Sequence, residues 1–153
     1  MREEHIPLVV ALEHNCQLSS RGESSYLNSL QDVRSILIVA LHESSPVHPL
    51  DIVGIFSGLL VLDELQIDNI AVSGNFRQKQ IGANLLAEAL ATAKRKGALS
   101  VLLEVRANNF AARSLYEKYG FTEIGRRKDY YREPLDDALV MMLQVANPSE
   151  NAA

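Results

Sequence analysis

Apolar residues along this chain recur with two different periods, and the changes between them mark out its elements. Leu8, Val9, Leu12 and Cys16 fall at helical spacing and predict a first helix over 8–17. The polar stretch Leu18-Ser19-Ser20-Arg21-Gly22-Glu23-Ser24-Ser25 follows as a loop, and Tyr26, Leu27, Leu30 and Val33 predict a second, short helix. Three apolar, strand-like runs come next, over 36–41, 52–62 and 65–72. Residues 43–51 hold two prolines and two serines and read as a turn between the first two runs. Gly54 and Gly58 interrupt the second run, which marks a bulge or a close backbone approach. Ser73-Gly74-Asn75 ends the third.

The helical period then returns. Leu85, Leu86, Ala89, Leu90 and Ala93 form one stripe of a helix over 80–96. Lys94, Arg95 and Lys96 stand in its last turn, where the helix dipole favours cations, and Gly97 suits its C-terminal cap. An apolar run over 99–105 reads as a strand. Asn108 or Asn109 can cap a helix over 110–119, which Gly120 stops. Two closing strands, over 121–125 and 138–145, predict a hairpin with a long polar connection. Residues 147–153 read as a flexible tail, which leaves 1–146 as a single domain. Helices and strands mix around one core, so the class is α/β of the mixed, α+β kind.

Composition narrows the function classes. The 153 residues are 47% hydrophobic and 22% charged, the balance of a soluble globular protein. A net charge of −4 argues against a general nucleic-acid-binding role, though a local basic spot for phosphates is compatible with it. Cys16 is the single cysteine, so no intrachain disulfide forms, in keeping with a reducing compartment. The charged start Met1-Arg2-Glu3-Glu4-His5 has no signal-peptide pattern behind it, and no apolar run is long enough for a membrane span. These features predict a cytoplasmic protein with no membrane partner. His5, His14, His42 and His48 show no metal-ligand spacing, and no metal is assigned.

One loop points directly at a ligand. A strand run ending in Ile70-Ala71-Val72 leads into Arg77-Gln78-Lys79-Gln80-Ile81-Gly82-Ala83 and then into a long helix. Unpaired amides at a helix start, the positive dipole end, a glycine for close approach and two flanking cations make a phosphate site, or else a plain turn with a basic surface. No Gly-Lys-Ser/Thr follows, and the three spaced glycines of a dinucleotide loop are missing. Glu104 interrupts the run over 99–105 as an ion-paired or a functional carboxylate. Tyr116 follows the core residue Leu115 as a core tyrosine or an acid. Glu64 and Asp68 lie on the same strand as Ile70, with an exposed strand face as their plain reading. Arg126-Arg127-Lys128 is a solvated charge run or a contact for a phosphate or a peptide. Cys16 reads as a small buried hydrophobe.

Together these segments resemble the GNAT N-acetyltransferases. Arg77-x-x-Gln80-x-Gly82-Ala83 is similar to their Arg/Gln-x-x-Gly-x-Gly/Ala signature, with Gln80 where the first glycine stands. Asn69-Ile70-Ala71-Val72, Leu103-Glu104-Val105-Arg106, Asn109, Leu115-Tyr116 and Gly120-Phe121 are similar to the RimI branch, which acetylates an N-terminal alanine of a ribosomal protein. Arg127-Lys128-Asp129-Tyr130-Tyr131, Asp136-Asp137-Ala138 and Met141-Met142-Leu143 extend the likeness, which covers about 64–145. It departs at Leu18-Ser19-Ser20-Arg21-Gly22, where that branch often has Pro-Trp, and the short start trims or removes the family's first strand.

The resemblance implies a GNAT fold, with a central, mostly antiparallel mixed sheet flanked by helices and splayed at an acetyl-coenzyme A site. It implies direct transfer of acetyl from acetyl-coenzyme A to an amine, with Glu104 as base and Tyr116 as acid. Ile70, Ala71 and Val72 would pair with the pantetheine arm, and a backbone amide among them would meet the oxyanion. Arg77, Gln78, Lys79, Gln80, Ile81, Gly82 and Ala83 would hold the pyrophosphate, and Asn109 would add a cofactor contact. Glu64, Asp68, Tyr130 and Tyr131 are the candidate acceptor-binding residues. The implied partner is a protein or peptide N-terminus, for a monomer or weak dimer. A lysine side chain or small amine as acceptor, and a non-catalytic acyl-coenzyme A-binding domain, remain as alternatives.

Overall fold

A computed structural model describes residues 1–43 and 51–145, so the turn expected over 43–51 and the tail over 147–153 lie, apart from residues 43 and 51, outside the described residues. The chain opens on a 3-10 turn, Glu3–His5, with helix α1 (Ile6–Asn15) and α2 (Glu23–Gln31) after it. Strands β1 (Ser35–His42), β2 (Asp51–Val61) and β3 (Glu64–Val72) come next, then a 3-10 turn, Gly74–Phe76. Helix α3 (Ile81–Arg95), β4 (Ser100–Arg106), α4 (Phe110–Lys118), β5 (Thr122–Arg132) and β6 (Leu135–Gln144) complete it. The strands form one sheet in the order β1-β2-β3-β4-β6-β5, antiparallel except where β3 meets β4.

Helices cover both faces. Ile6, Val9, Leu12 and Tyr26 of α1 and α2 pack on Ile55 and Ala71 from one side. Leu85, Leu86, Ala89 and Ala93 of α3, with Tyr116 of α4, pack on Phe56, Leu65, Val101, Leu103 and Leu139 from the other. The stripe expected for α3 is therefore the buried one, with Leu90 at its edge. The first helix starts earlier than its pattern suggested, and Leu8 is 52% exposed while Ile6 and Val9 are buried. In α2 only Tyr26 is fully buried, and Val33 lies beyond the helix, exposed.

The two glycines of β2 each have a packing reason. A Cβ on Gly54 would stand 3.0 Å from Leu85 Cδ1 and 3.1 Å from Ile81 Cγ2, so this glycine lets the start of α3 lie against the sheet. A Cβ on Gly58 would stand 2.9 Å from the Gln66 carbonyl oxygen. Beside Gly58 the pairing slips: Ser57 faces Asn69 and Gly58 faces Ile67, so Asp68 is an extra residue in β3. This bulge exchanges the faces of the strand. Leu65 and Ile67 point to the α3 side before it, Ile70 and Val72 do so after it, and Ala71 turns to α1.

Next to the bulge the sheet opens. β3 pairs with β4 only at Glu64–Ser100, Leu65–Val101 and Gln66–Leu102. Beyond them β3 stays with β2 as far as Val72, while β4 stays with β6 as far as Arg106. The two strands part like a V, as expected for an open acetyl-coenzyme A site. The closing hairpin departs from expectation: β5 and β6 run much further, and only Glu133 and Pro134 join them. β5 is an edge strand with nearly all its residues exposed and two breaks in register, so no period-two hydrophobic pattern announces it.

Candidate active site

The opening of the V is a cavity of about 570 Å³. β3 contributes Asp68 and Ile70 to its wall, β4 contributes Glu104 and Arg106, and α4 contributes Asn109 and Tyr116. Arg127, Tyr130 and Tyr131 enter from β5, and Gln17, Leu18 and Ser19 from the α1–α2 loop. Seven of the residues singled out from sequence, besides Ile70, thus meet at one place although they range from position 68 to position 131.

Glu104 lies on β4 with its side chain 29% exposed, and Arg127 Nε stands 3.1 Å from its Oε1 as an ion pair. Tyr116 is 7% exposed, with its ring tilted against Phe121 at 5.7 Å between centroids. Burial first, and Tyr131 second, push the Tyr116 hydroxyl up to about 12, so it holds its proton at neutral pH. Tyr131 is also raised, by burial first and then by the negative charge of Glu104, while Arg106 opposes. The Arg106 guanidinium lies 4.1 Å from the Tyr131 ring centroid, and Tyr130 meets Tyr131 edge-on at 5.1 Å. A carboxylate, a protonated phenol and two further phenols therefore border one cavity.

The β3 wall carries a second carboxylate. Asp68, at the bulge, has its carboxyl raised by burial, with Arg21 opposing from 3.5 Å. Arg21 Nη2 also donates to Ser29 Oγ at 2.9 Å, tying the α1–α2 loop to α2. Beneath Asp68 lies a group that hydrophobic patterning missed. Glu13 is fully buried and accepts hydrogen bonds from Tyr26 Oη and, at 2.8 Å, from Asn69 Nδ2. Its signal in the sequence is a carboxylate at helical spacing from Val9, on the face where only apolar residues were sought.

The loop before α3 stands at the far end of β3. Gln80 is the N-cap of α3, in the left-handed region at φ +62°, and its side chain caps nothing. No acid occupies the first turn, so the amides of Ile81, Gly82 and Ala83 keep the positive end of the dipole unneutralised. Gln78 is also left-handed, at φ +60°. A Cβ on Gly82 would meet Val72 Cγ2 at 3.6 Å and Leu115 Cδ2 at 3.7 Å, so the loop sits against the end of β3. Arg77 Nε donates to the Val72 carbonyl at 3.3 Å, and Lys79 Nζ lies 5.1 Å from the Phe76 ring centroid. Tyr119 Oη donates to the Ala83 carbonyl at 3.0 Å and joins α4 to the start of α3.

Asn109 caps α4, its Oδ1 accepting from the Ala112 amide at 3.1 Å, which leaves its Nδ2 free to face the cavity. Glu64 is not brought to the cavity: it lies at the closed end of the V, opposite Ser100, and accepts from Gln66 Nε2 at 3.2 Å. Arg126 is held by Asp137 at 2.6 Å, so the charge run is not uniformly solvated and only Arg127 of the three borders the cavity. Cys16 ends α1 half-exposed, with Sγ 3.6 Å from the Val72 carbonyl, rather than buried. Among the described residues no group of three or more His, Cys, Asp or Glu side chains converges on a point, and no helix is long and apolar enough to cross a membrane.

Known proteins share this architecture. The family model described as Acetyltransferase (GNAT) family matches residues 10–121. A ribosomal protein bS18-alanine N-acetyltransferase from Salmonella typhimurium (strain LT2) is 38% identical over 89 residues, which are 57% of this chain and 60% of that protein. One from Haemophilus influenzae is 42% identical over 84 residues, 53% of this chain and 57% of that protein. The chain thus spans less than two thirds of the length of these curated relatives. The crystal structure of the ribosomal-protein-S18-alanine N-acetyltransferase from Escherichia coli matches with a TM-score of 0.83 at 26% identity, covering 100% of this chain and 96% of that one.

Proposed function

The chain belongs to the GNAT acetyltransferase family, and on that premise we propose that it transfers acetyl from acetyl-coenzyme A to the α-amine at a protein N-terminus. One observation carries the reading. Glu104 and Tyr116, from a strand and a helix, face the same cleft where β3 loses its partner strand. The relatives are named as alanine N-acetyltransferases of ribosomal protein bS18, so an alanine-starting peptide is the first acceptor to try.

The residues present fit acetyl-coenzyme A. Beyond Gln66 β3 has no pairing with β4, so Ile70, Ala71 and the backbone up to Val72, whose carbonyl accepts from Arg77 Nε, offer an edge for the amide-bearing pantetheine arm. The uncapped start of α3, without an acid in its first turn, suits the pyrophosphate on the amides of Gln78 to Ala83. Arg77 and Lys79 add charge beside it, and Asn109 offers its amide from α4. When bound, acetyl-coenzyme A supplies an acyl group activated as a thioester.

The chain's own groups handle the protons. An α-amine titrates near pH ~8, so at neutral pH much of it arrives as ammonium. That proton leaves to solvent and frees the nitrogen lone pair, and Glu104 takes, directly or through one water, the second proton that nitrogen sheds as the C–N bond forms. The C–S bond breaks, Tyr116 gives its proton to the departing sulfur, and the proton held by Glu104 returns to the Tyr116 oxygen through water. A backbone amide of β3 among Ile70 to Val72 faces the oxygen on which charge gathers. Asp68 and the tyrosines Tyr130 and Tyr131 form the acceptor side of the cleft.

The test is thiol release from acetyl-coenzyme A with peptides whose N-termini are free or blocked. The expected result is turnover with the free alanine peptide, falling at least ~100-fold in Glu104→Gln and in Tyr116→Phe. Turnover only with a blocked, lysine-containing peptide or a small amine would reassign the acceptor. Cofactor binding without turnover of any acceptor would favour a regulatory acyl-coenzyme A domain.

A further inference from the structure

Arg127 presents a difficulty that the proton chemistry above does not resolve. It lies 3.1 Å from the carboxylate that should receive the amine's proton, and it borders the same cavity. The backbone builds this placement. Pairing between β5 and β6 breaks between Arg127 and Tyr131, and there Asp129 is left-handed at φ +52° with its amide on Asp137 Oδ1 at 2.8 Å. The break lets Arg127, Tyr130 and Tyr131 all reach the cavity, which regular alternation along a strand would forbid. Asp137 also holds Arg126 away at 2.6 Å, so the neighbouring cation does not compete for Glu104.

A bare carboxylate in a half-buried cleft would bind an ammonium and, by the same attraction, hold its proton on. We propose that Arg127 is a positioning residue that shares Glu104 with the incoming amine and cancels enough of the carboxylate's charge for the cleft to take the amine in its neutral, nucleophilic form. This rests on the reading of Glu104 as the base. The ammonium loses its proton to solvent as it enters, the lone pair stays on nitrogen, and Glu104 takes the proton that nitrogen sheds when the C–N bond forms.

The other groups around Glu104 do not supply this charge. On its own strand, Arg106 donates to the carbonyls of Pro134 and Glu133, at 2.8 Å and 3.2 Å, and stacks on Tyr131. From β3, Asp68 is paired with Arg21. From β6, Val140 stands opposite. Tyr116 of α4 and Tyr131 of β5, both raised, are uncharged at neutral pH. Arg127 is the ion-pair partner of Glu104 among the described residues.

The experiment measures kcat and KM for an alanine-starting peptide with the wild-type chain, Arg127→Gln, Arg127→Lys and Glu104→Gln, from about pH 6 to about pH 10. In Arg127→Gln at neutral pH, KM for the peptide and kcat both fall, because ammonium is held more tightly and gives up its proton less readily. The kcat profile moves to higher pH by about one unit, a roughly tenfold effect near neutrality for a charge at this distance and 58% exposed. At the alkaline end kcat returns to the wild-type level, and Arg127→Lys restores most of the neutral-pH rate. A loss of kcat by the same factor at every pH, or an unchanged profile, would overturn the proposal while leaving Glu104 as the base. Full activity in Glu104→Gln would instead overturn the reading on which it rests.

Discussion

Tyr116 shows how one residue's surroundings decide its chemistry. Only 7% of it is exposed, and it packs against Phe121, so its charged form is poorly solvated and its hydroxyl is pushed up to about 12. The hydroxyl is therefore protonated at any physiological pH, as the proposed donor to the departing sulfur must be. The same shift links it to stability. Unfolded tyrosine titrates near ~10, so between about pH 10 and about pH 12 the folded chain keeps a proton that the unfolded chain has lost. Stability is whole below that window and falls as pH rises through it, by up to about 1.4 kcal/mol per unit for this one group. Tyr26 is raised as well, by burial first and then by its bond to Glu13, and adds its own loss. Urea unfolding at a series of alkaline pH values should therefore show a shallower decline in Tyr116→Phe than in the wild type, with the two coinciding near neutral pH. Parallel curves throughout would contradict the raised hydroxyl.

At the scale of elements, the seat of α3 governs the loop proposed for the pyrophosphate. Gly54 lies under the first turn of that helix, with Ile81 and Leu85 at 3.1 Å and 3.0 Å from where a Cβ would stand. Gly54→Ala should cost about 1–3 kcal/mol through overpacking and push the start of α3 outward. Coenzyme A affinity, measured by calorimetry, should then fall further than the affinity for peptide. Equal loss of both would mean that the helix start does not carry the phosphates. Much of this element could be read from sequence, because the stripe from Leu85 to Ala93 repeats at helical spacing and is buried as one face. The meaning of Gly54 and Gly58 was visible as a choice between bulge and close approach, and both occur. What escaped the pattern was the exchange of faces at Asp68, since one extra residue reverses the parity of every later position in β3. Arg127 escaped for a related reason: a broken register in an exposed strand decides which of three adjacent cations turns inward. Glu13 was hidden because its partners, Tyr26 and Asn69, lie on other elements.

At the scale of the whole molecule, the sheet is two wings hinged at three residue pairs. β1, β2 and most of β3 form one wing, and β4, β6 and β5 form the other. Helix α3 spans from the first wing toward α4 through Tyr119 and Ala83, but the cleft side has no strand ladder to hold it closed. A cofactor laid along the free edge of β3 and onto the start of α3 would supply the missing partner, and it would bind only the folded chain. At a concentration ~100 times its Kd such a ligand stabilises by about 2.7 kcal/mol, a rise in Tm of roughly 5–10 °C for a domain of this size. Hydrogen exchange should locate the gain. Amides at Ile70 to Val72 and at Ile81 to Ala83 should slow with coenzyme A, while the β1–β2 ladder, already paired on both of its strands, should change little. Protection spread evenly over the sheet would indicate that the ligand stabilises the fold without lying in the V. No change in Tm at saturating coenzyme A would remove the cofactor from the cleft, and with it the reason proposed for the sheet to part beside Glu104.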